Sequence, residues 1–375
     1  MSHKRRRNDN QNQRAGGGDN KRRPHKHLYL VLNDWEKGFS IHKIDPDTFD
    51  SDDEDQHSGA ASHLPDPPSV RLEIPIGDDD EDMSDTSFAA MGTKIFAFTN
   101  HRCGLVYDVE TAALSIGAHA PDQMACGSGV FMAAGDVLYA LTHRDFNDLE
   151  QPHSFEAMSW APAAAAASSD PMRQQPTRGW SWKTLPSPAF HSHVHSYALH
   201  PDGHTIFMTS SDDSHRMCTY SFDTIDSAWR SHGEWALPFR GQGHFDSELD
   251  AWVGLHREGY VCTCQVISPD FHSTAPCFYP DCKMTKEKLF RNMSSKRHMS
   301  VSLTRMGTTE FCLVECVAAK KEEKRAKYNG CVIHLTIFGL KYNHRGELQI
   351  KDHQSSRSFV VPSDRFHFDP QAFWM

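Results

Sequence analysis

The chain has 375 residues, 38% of them apolar and 10% aromatic, enough to bury one large core or two modest ones. Its net charge of −10 is unevenly spread: the first 27 residues are basic, whereas Asp50–Asp55 and Asp78–Asp82 are acidic runs. An acidic body argues against nucleic-acid binding by the folded part, because phosphate attraction supplies most nonspecific affinity.

No apolar run approaches the roughly 18 residues needed to cross a bilayer, so no membrane partner is expected. The opening Met1-Ser2-His3-Lys4-Arg5-Arg6-Arg7 lacks the apolar stretch of a secretory signal. The expectation is a soluble intracellular protein whose 10 cysteines stay reduced.

In chain order, residues 1–27 carry almost no apolar side chain and are expected to form a disordered basic tail. Leu28–Leu32 opens the folded domain, and Phe39–Ile44 alternates at period two as a second strand. Residues 49–68 read as a polar loop, Val70–Ile76 as a strand and 77–85 as an acidic loop.

From Phe88 onward a unit recurs in which a glycine turn separates two short apolar runs. Its centres are Gly92, Gly135, Gly203, Gly259 and Gly307, spaced about 43 to 68 residues apart. That is near the roughly 40–50-residue period of propeller blades once insertions are allowed. Glycine suits such a tip because it reaches positive φ without a Cβ clash.

A second element recurs beside it. Asp108, Asp223 and Asp246 each follow an aromatic residue, and six residues later stand Leu114, Trp229 and Trp252. The Asp is expected to cap a tight turn through its own backbone, placing each Trp on the next strand, buried against a neighbouring sheet. Residues 161–178 are a low-complexity insertion, and 318–329 a charged hairpin tip.

No segment sustains a helical period, so the fold class is all-β. Repetition at blade length favours a β-propeller spanning 28–370, with about six four-stranded sheets. Their expected spans are 28–76, 88–117, 124–187, 194–240, 244–290 and 298–361.

The aromatic-Asp-to-Trp steps make the chain resemble a divergent kelch-like propeller, although the kelch Gly-Gly pair is missing. The stretch from Ala198-Leu199-His200-Pro201-Asp202-Gly203 through Phe245-Asp246-Ser247-Glu248-Leu249-Asp250-Ala251-Trp252-Val253-Gly254-Leu255 is more specific. It resembles a large family of uncharacterised grass proteins, over roughly residues 28–370. The resemblance implies a plant source and a propeller-like fold, and carries over no catalytic or binding residue.

Two basic clusters, Lys4-Arg5-Arg6-Arg7 and Lys21-Arg22-Arg23, flank a polar linker of 13 residues. That arrangement suits a nuclear import receptor, whose acidic surface takes extended Lys and Arg in two places. The expected location is the nucleus, or nucleus and cytoplasm together, the alternative reading of the clusters being a solubilising tail.

Other constellations are weaker. His191, His193 and His195 would share one face of an extended strand and could hold zinc. With 25 His in the chain, a solvent-facing strand explains them as well. Cys262, Cys264, Cys277 and Cys282 are poorly spaced for zinc, and the first two read as small apolar residues on a strand. His244, Asp246, Glu248 and Asp250 would form one acidic strand face able to act on a sugar, although the turn reading already explains Asp246.

No catalytic, cofactor or metal residues are assigned. Gly127-Ser128-Gly129 is too short for a nucleophile elbow, and Gly241-Gln242-Gly243 lacks the third glycine of a dinucleotide fingerprint. The functional expectation is a non-enzymatic module binding an unidentified protein partner. The alternative is a propeller that hydrolyses or binds glycans.

Overall fold

A computed structural model describes residues 26–35, 37–49, 63–73, 86–99, 104–124, 129–142, 153–162, 178–212, 214, 216–272, 278–319, 330–361 and 369–375. The basic clusters Lys4–Arg7 and Lys21–Arg23 lie outside the described residues, as does most of the 161–178 insertion. Among the described residues every regular element is a strand except one 3-10 turn, Pro46–Phe49.

The first sheet holds β1 (Leu28–Trp35), β2 (Gly38–Ile44) and β3 (Val70–Glu73). Its fourth strand comes from the opposite end of the chain: β24 (Gln371–Trp374) pairs antiparallel with β1 in the register Leu28↔Trp374. Reciprocal backbone bonds between His27 and Met375, 2.7 and 3.1 Å, fasten the seam. The folded domain therefore extends past residue 370, where the sequence reading ended it.

Consecutive antiparallel meanders follow. The second sheet is β4 (Ser87–Met91), β5 (Lys94–Phe98), β6 (Gly104–Asp108) and β7 (Ala113–Ile116). The third is β8 (Gly129–Ala134), β9 (Val137–Thr142), β10 (Ser154–Pro162) and β11 (Arg178–Thr184).

An eight-stranded sheet comes next. One half is β12 (Val194–Leu199), β13 (Thr205–Ser211), β14 (Met217–Asp223) and β15 (Ala228–Gly233). The other is β16 (Arg240–Asp246), β17 (Ala251–His256), β18 (Tyr260–Gln265) and β19 (Cys282–Met284). The halves are joined by a parallel pairing of β12 with β16. The last sheet is β20 (His298–Gly307), β21 (Glu310–Ala318), β22 (Cys331–Tyr342) and β23 (Leu348–Val361).

Counting the long sheet by its halves, the described strands form six four-stranded groups. Apolar cores lie between successive groups. Tyr29 packs with Ile95, Phe96 with Trp180, Phe155 with Phe222, Phe207 with Trp252, and Val253 with Phe311. A further core unites Leu28, Leu30 and Leu32 of the first group with Val314, Ile333 and Leu335 of the last. The groups therefore close into a ring, which is the architecture of a β-propeller. Closure removes the long free edges an open sheet would expose.

The glycine repeat is seen directly at two hairpin tips. The β4–β5 and β8–β9 hairpins have two-residue loops with Gly92 and Gly135 first, at φ 60° and 59°, the type II′ pattern. Gly203, at φ 80°, ends the wider β12–β13 turn.

The last two copies differ from expectation. Gly259 sits between β17 and β18, one hairpin later than its counterparts, because a glycine between apolar runs marks a turn without saying which turn. In the final copy Gly307 closes β20, and Thr309 takes the left-handed conformation at φ 57°.

The Asp turns are closely alike. Asp108, Asp223 and Asp246 each accept through Oδ1 the backbone N–H groups two and three residues on. The residue four positions on is left-handed in every case: Ala112, Ser227 and Asp250, at φ 55°, 53° and 46°.

The same turn nevertheless serves different places. Asp246 stands between the first and second strands of its group, so Trp252 lies on a central strand and is wholly buried. Asp223 precedes an outer strand, so Trp229 is only half-buried, contrary to the sequence reading. Trp229 packs on Phe155, Phe190 and Phe222, and its indole N–H bonds Pro186 O at 2.8 Å.

Candidate functional site

The innermost strands β4, β8, β12, β16, β20 and β24 surround a central channel of about 620 Å³. β16 carries a bulge between Arg240 and His244, with Gly241 at φ 68°, so its lining residues do not follow strict alternation. Arg240, Gln242 and His244 line the channel, separated by Gly241 and Gly243. Gly243 is needed for close packing rather than for a turn. A Cβ there would lie 2.4 Å from the Phe239 ring, and a Cβ at Gly254 on β17 would meet the same ring at 2.4 Å.

Farther along β16, His244 Nε2–H donates to Leu303 O at 2.8 Å. Burial, seconded by the charge of Arg305, lowers its pKa to about 4 against the opposing effect of that hydrogen bond. The ring is therefore neutral at neutral pH. Across the seam, Thr304 Oγ1 donates to Ala372 O at 2.8 Å and ties β20 to β24.

Arg305 borders the channel and lies 3.7 Å, Nε to Oδ2, from the wholly buried carboxylate of Asp246. That carboxylate also accepts the Thr309 N–H at 2.7 Å, so it clasps the turn of the neighbouring group. The Thr309 hydroxyl accepts a hydrogen bond from Lys351 Nζ.

The channel mouth near Arg240 has a different character. β12 and β16 run parallel there with Ser196↔Gly241 and Tyr197↔Gln242 in register. Arg240, Gln242 and Tyr197 all line the cavity. Among the described residues, no carboxylate pairs with Arg240, and no protein group is hydrogen-bonded to the side chains of Arg240, Gln242 or Tyr197. Burial pushes the Tyr197 phenol up to about 12, keeping it a neutral hydroxyl. His195 stands beside them, its pKa lowered first by burial and then by the charges of Arg240 and His193. Asp369 is the one carboxylate among the described lining residues.

The sequence candidates are placed as follows. His191, His193 and His195 do not form one strand face. The first two precede β12, and a register shift between Val194 and Ser196 puts His195 at a bulge that breaks the alternation. His191 and His193 stand near His153, whose pKa is lowered first by burial and then by repulsion from the two. Cys262 and Cys264 are buried in the core between the two halves of the long sheet, as small apolar residues would be. Cys282 lies on β19 opposite Cys264, and Cys277 falls outside the described residues. Among the described residues, no three His, Cys, Asp or Glu side chains stand together as a metal site.

His244, Asp246, Glu248 and Asp250 do not make one acidic face either. The strand ends at Asp246, whose side chain turns inward, while Glu248 and Asp250 belong to the exposed turn. Arg240, Gln242 and Tyr197 were missed by the sequence reading. Their local signal was Arg-Gly-Gln-Gly-His, three polar side chains separated by two glycines.

The chain matches the family described as "Protein of unknown function (DUF1668)" over residues 25–359 and belongs to it. No curated protein matches it. It is similar to a structural genomics protein of unknown function from Bacteroides thetaiotaomicron, 11% identical with a TM-score of 0.38 over 64% of this chain. The match spans 57% of that protein's length. A protein described as a 6-phosphogluconolactonase from Bacteroides uniformis is 11% identical with a TM-score of 0.42, covering 93% of this chain and 99% of the other. YCF48, solved bound to D1 peptide, is 11% identical with a TM-score of 0.40, covering 88% and 78%.

Proposed function

We propose that this DUF1668 protein is a non-enzymatic binding module that receives a protein partner at the mouth of its central channel. The observation that carries this reading is the set of unpaired donors, Arg240, Gln242 and Tyr197, presented at one end of a closed ring. A rigid ring of strands holds such a surface in place at little entropic cost on binding. The alternative, glycan hydrolysis, calls for two carboxylates about 5–10 Å apart. Among the described lining residues only Asp369 supplies one, so the lining favours binding.

We further propose that the tail directs the protein to the nucleus. Lys4, Arg5, Arg6, Arg7, Lys21, Arg22 and Arg23 would engage an import receptor, and none of them falls within the described sheets. The kelch-like steps and the grass-family motif support a plant lineage for the chain.

Two measurements test this reading. Affinity capture with the full chain should recover a partner that is lost on Arg240→Glu but kept on Arg345→Glu, a change at an outer turn. Equal recovery by both variants would remove the channel mouth from the interface. A fluorescent fusion of the parent should be nuclear, and changing all seven basic residues to Ala should make it cytoplasmic with unchanged melting. A parent fusion that is already cytoplasmic would refute the targeting role.

A further inference from the structure

The pairing of β12 with β16 is the only direct backbone link between the inner strands of adjacent groups among the described residues. Paired strands lie about 4.8 Å apart, closer than inner strands held together by side chains alone. Cross-strand partners then project to the same face. Tyr197 and Gln242 are such partners; Arg240 stands two residues before Gln242, and His195 lies close enough to feel its charge. The unusual pairing thus gathers a guanidinium, an amide, a phenol and an imidazole at one channel mouth.

These groups are rich in donors. A guanidinium offers five N–H groups in a fixed fork and no acceptor, a carboxamide two, and a phenol one. A half-buried guanidinium without a counter-charge is costly, and no described carboxylate supplies one to Arg240. A Cβ built at Gly241, which also lines the cavity, meets nothing within 4 Å.

From this juxtaposition we propose that Arg240, Gln242 and Tyr197, with His195 beside them, bind the phosphoryl group of a phosphate monoester. The inference rests on the channel mouth being a binding site, and it names the chemistry recognised there. A planar carboxylate would occupy the guanidinium fork and leave the amide and phenol over. The three terminal oxygens of a phosphoryl group take donors from both strands at once. The phosphoryl group has two possible sources, a phosphorylated side chain of a partner or a free small monoester.

Isothermal titration of the full-length protein at constant ionic strength tests the proposal. The probes are inorganic phosphate, O-phosphoserine, a phosphoserine peptide and acetate. Phosphate and phosphoserine should bind saturably. Arg240→Gln should weaken them by about tenfold or more, the scale of one lost bidentate charge-assisted contact. Arg240→Lys, which keeps the charge but loses the fork, should fall between the two. Gln242→Leu and Tyr197→Phe should each weaken binding several-fold, while Arg345→Gln should not.

Variants are compared only where circular dichroism and melting match the parent, and Tyr197→Phe keeps its ring for that purpose. Tighter binding of the peptide than of phosphoserine supports a protein source, and equal binding supports a small monoester. Two results overturn the proposal: phosphate binding unaffected by Arg240→Gln, or acetate binding as tightly as phosphate with the same dependence on Arg240. Failure here with partner capture still sensitive to Arg240→Glu would leave the binding module standing and remove only its phosphate chemistry.

Discussion

Replacing Asp246 by Ala probes how the ring is held together. Its carboxylate is wholly buried and accepts the N–H groups of Glu248 and Leu249 at 3.1 Å and of Thr309 at 2.7 Å. The Leu249 and Thr309 donors are themselves buried, so Ala leaves two N–H groups without water or acceptor. Each such orphan costs about 1–3 kcal/mol. Arg305 is 39% exposed, so solvent replaces most of what it loses, and its share is small. The expected loss is about 3–5 kcal/mol for Asp246→Ala. For Asp246→Asn, which keeps an acceptor but not the charge, it is about 1–2 kcal/mol.

Asp223→Ala is the matched control. It removes the same two turn bonds at a part-buried site whose further contact, His204 at 3.6 Å, lies within its own sheet, and should cost about 1 kcal/mol. Urea unfolding followed by tryptophan fluorescence measures all three, provided the m-values agree. If Asp246→Ala and Asp223→Ala fall within about 0.5 kcal/mol of each other, the clasp between neighbouring groups contributes nothing and the reasoning fails.

Three further outcomes are expected. Trp252→Ala should cost about 3–5 kcal/mol, because a wholly buried indole is lost and Leu199 O loses its donor at 2.9 Å. Trp229→Ala, half-exposed, should cost clearly less, and equal losses in calorimetry would contradict the assigned burial. Gly254→Ala drives a Cβ into the Phe239 ring and should cost about 1–3 kcal/mol, against less than about 0.5 kcal/mol for Gly179→Ala, where the space is open. His244 contributes a pH dependence. Its folded pKa of about 4 lies below the unfolded value of about 6.5, so the unfolded chain takes up a proton first as pH falls. Stability due to His244 is full above about pH 6.5 and lost towards pH 4, by at most about 3 kcal/mol. Urea titrations from pH 7 to 5 should show a shallower slope for His244→Gln than for the parent, and identical slopes would refute the assignment.

Local chemistry made much of the ring legible. A two-residue loop that begins with glycine fixes a hairpin within a few residues, and the Asp turn fixes the following strand, so Gly92, Gly135 and Asp108 could be read in isolation. Features set by distant partners were not legible. Gln371–Trp374 is too short to declare itself as a strand, and its place is decided by the free edge of β1 at the other end of the chain. Trp229 and Trp252 end identical sequence steps, and their burial differs because one strand is outer and the other central.

The candidate site belongs wholly to this second kind. Arg240 and Tyr197 are 43 residues apart and share no motif; they meet because β12 and β16 pair in parallel. A propeller needs its inner strands only to surround the axis, so a direct backbone link between two of them goes beyond what closure of the ring requires. The link moves two polar faces together and leaves their donors facing open space. On β12 the Tyr197 ring packs against the core that holds Phe155 and Phe222, and Ala198 beside it joins the core of Phe207 and Trp252, but neither contact uses the Tyr197 hydroxyl or the polar groups of β16. Among the described residues no protein group accepts hydrogen bonds from these donors, so solvent or something bound in the channel must. That is why the titration of Arg240 and Tyr197 variants bears on function more directly than any measurement of unfolding.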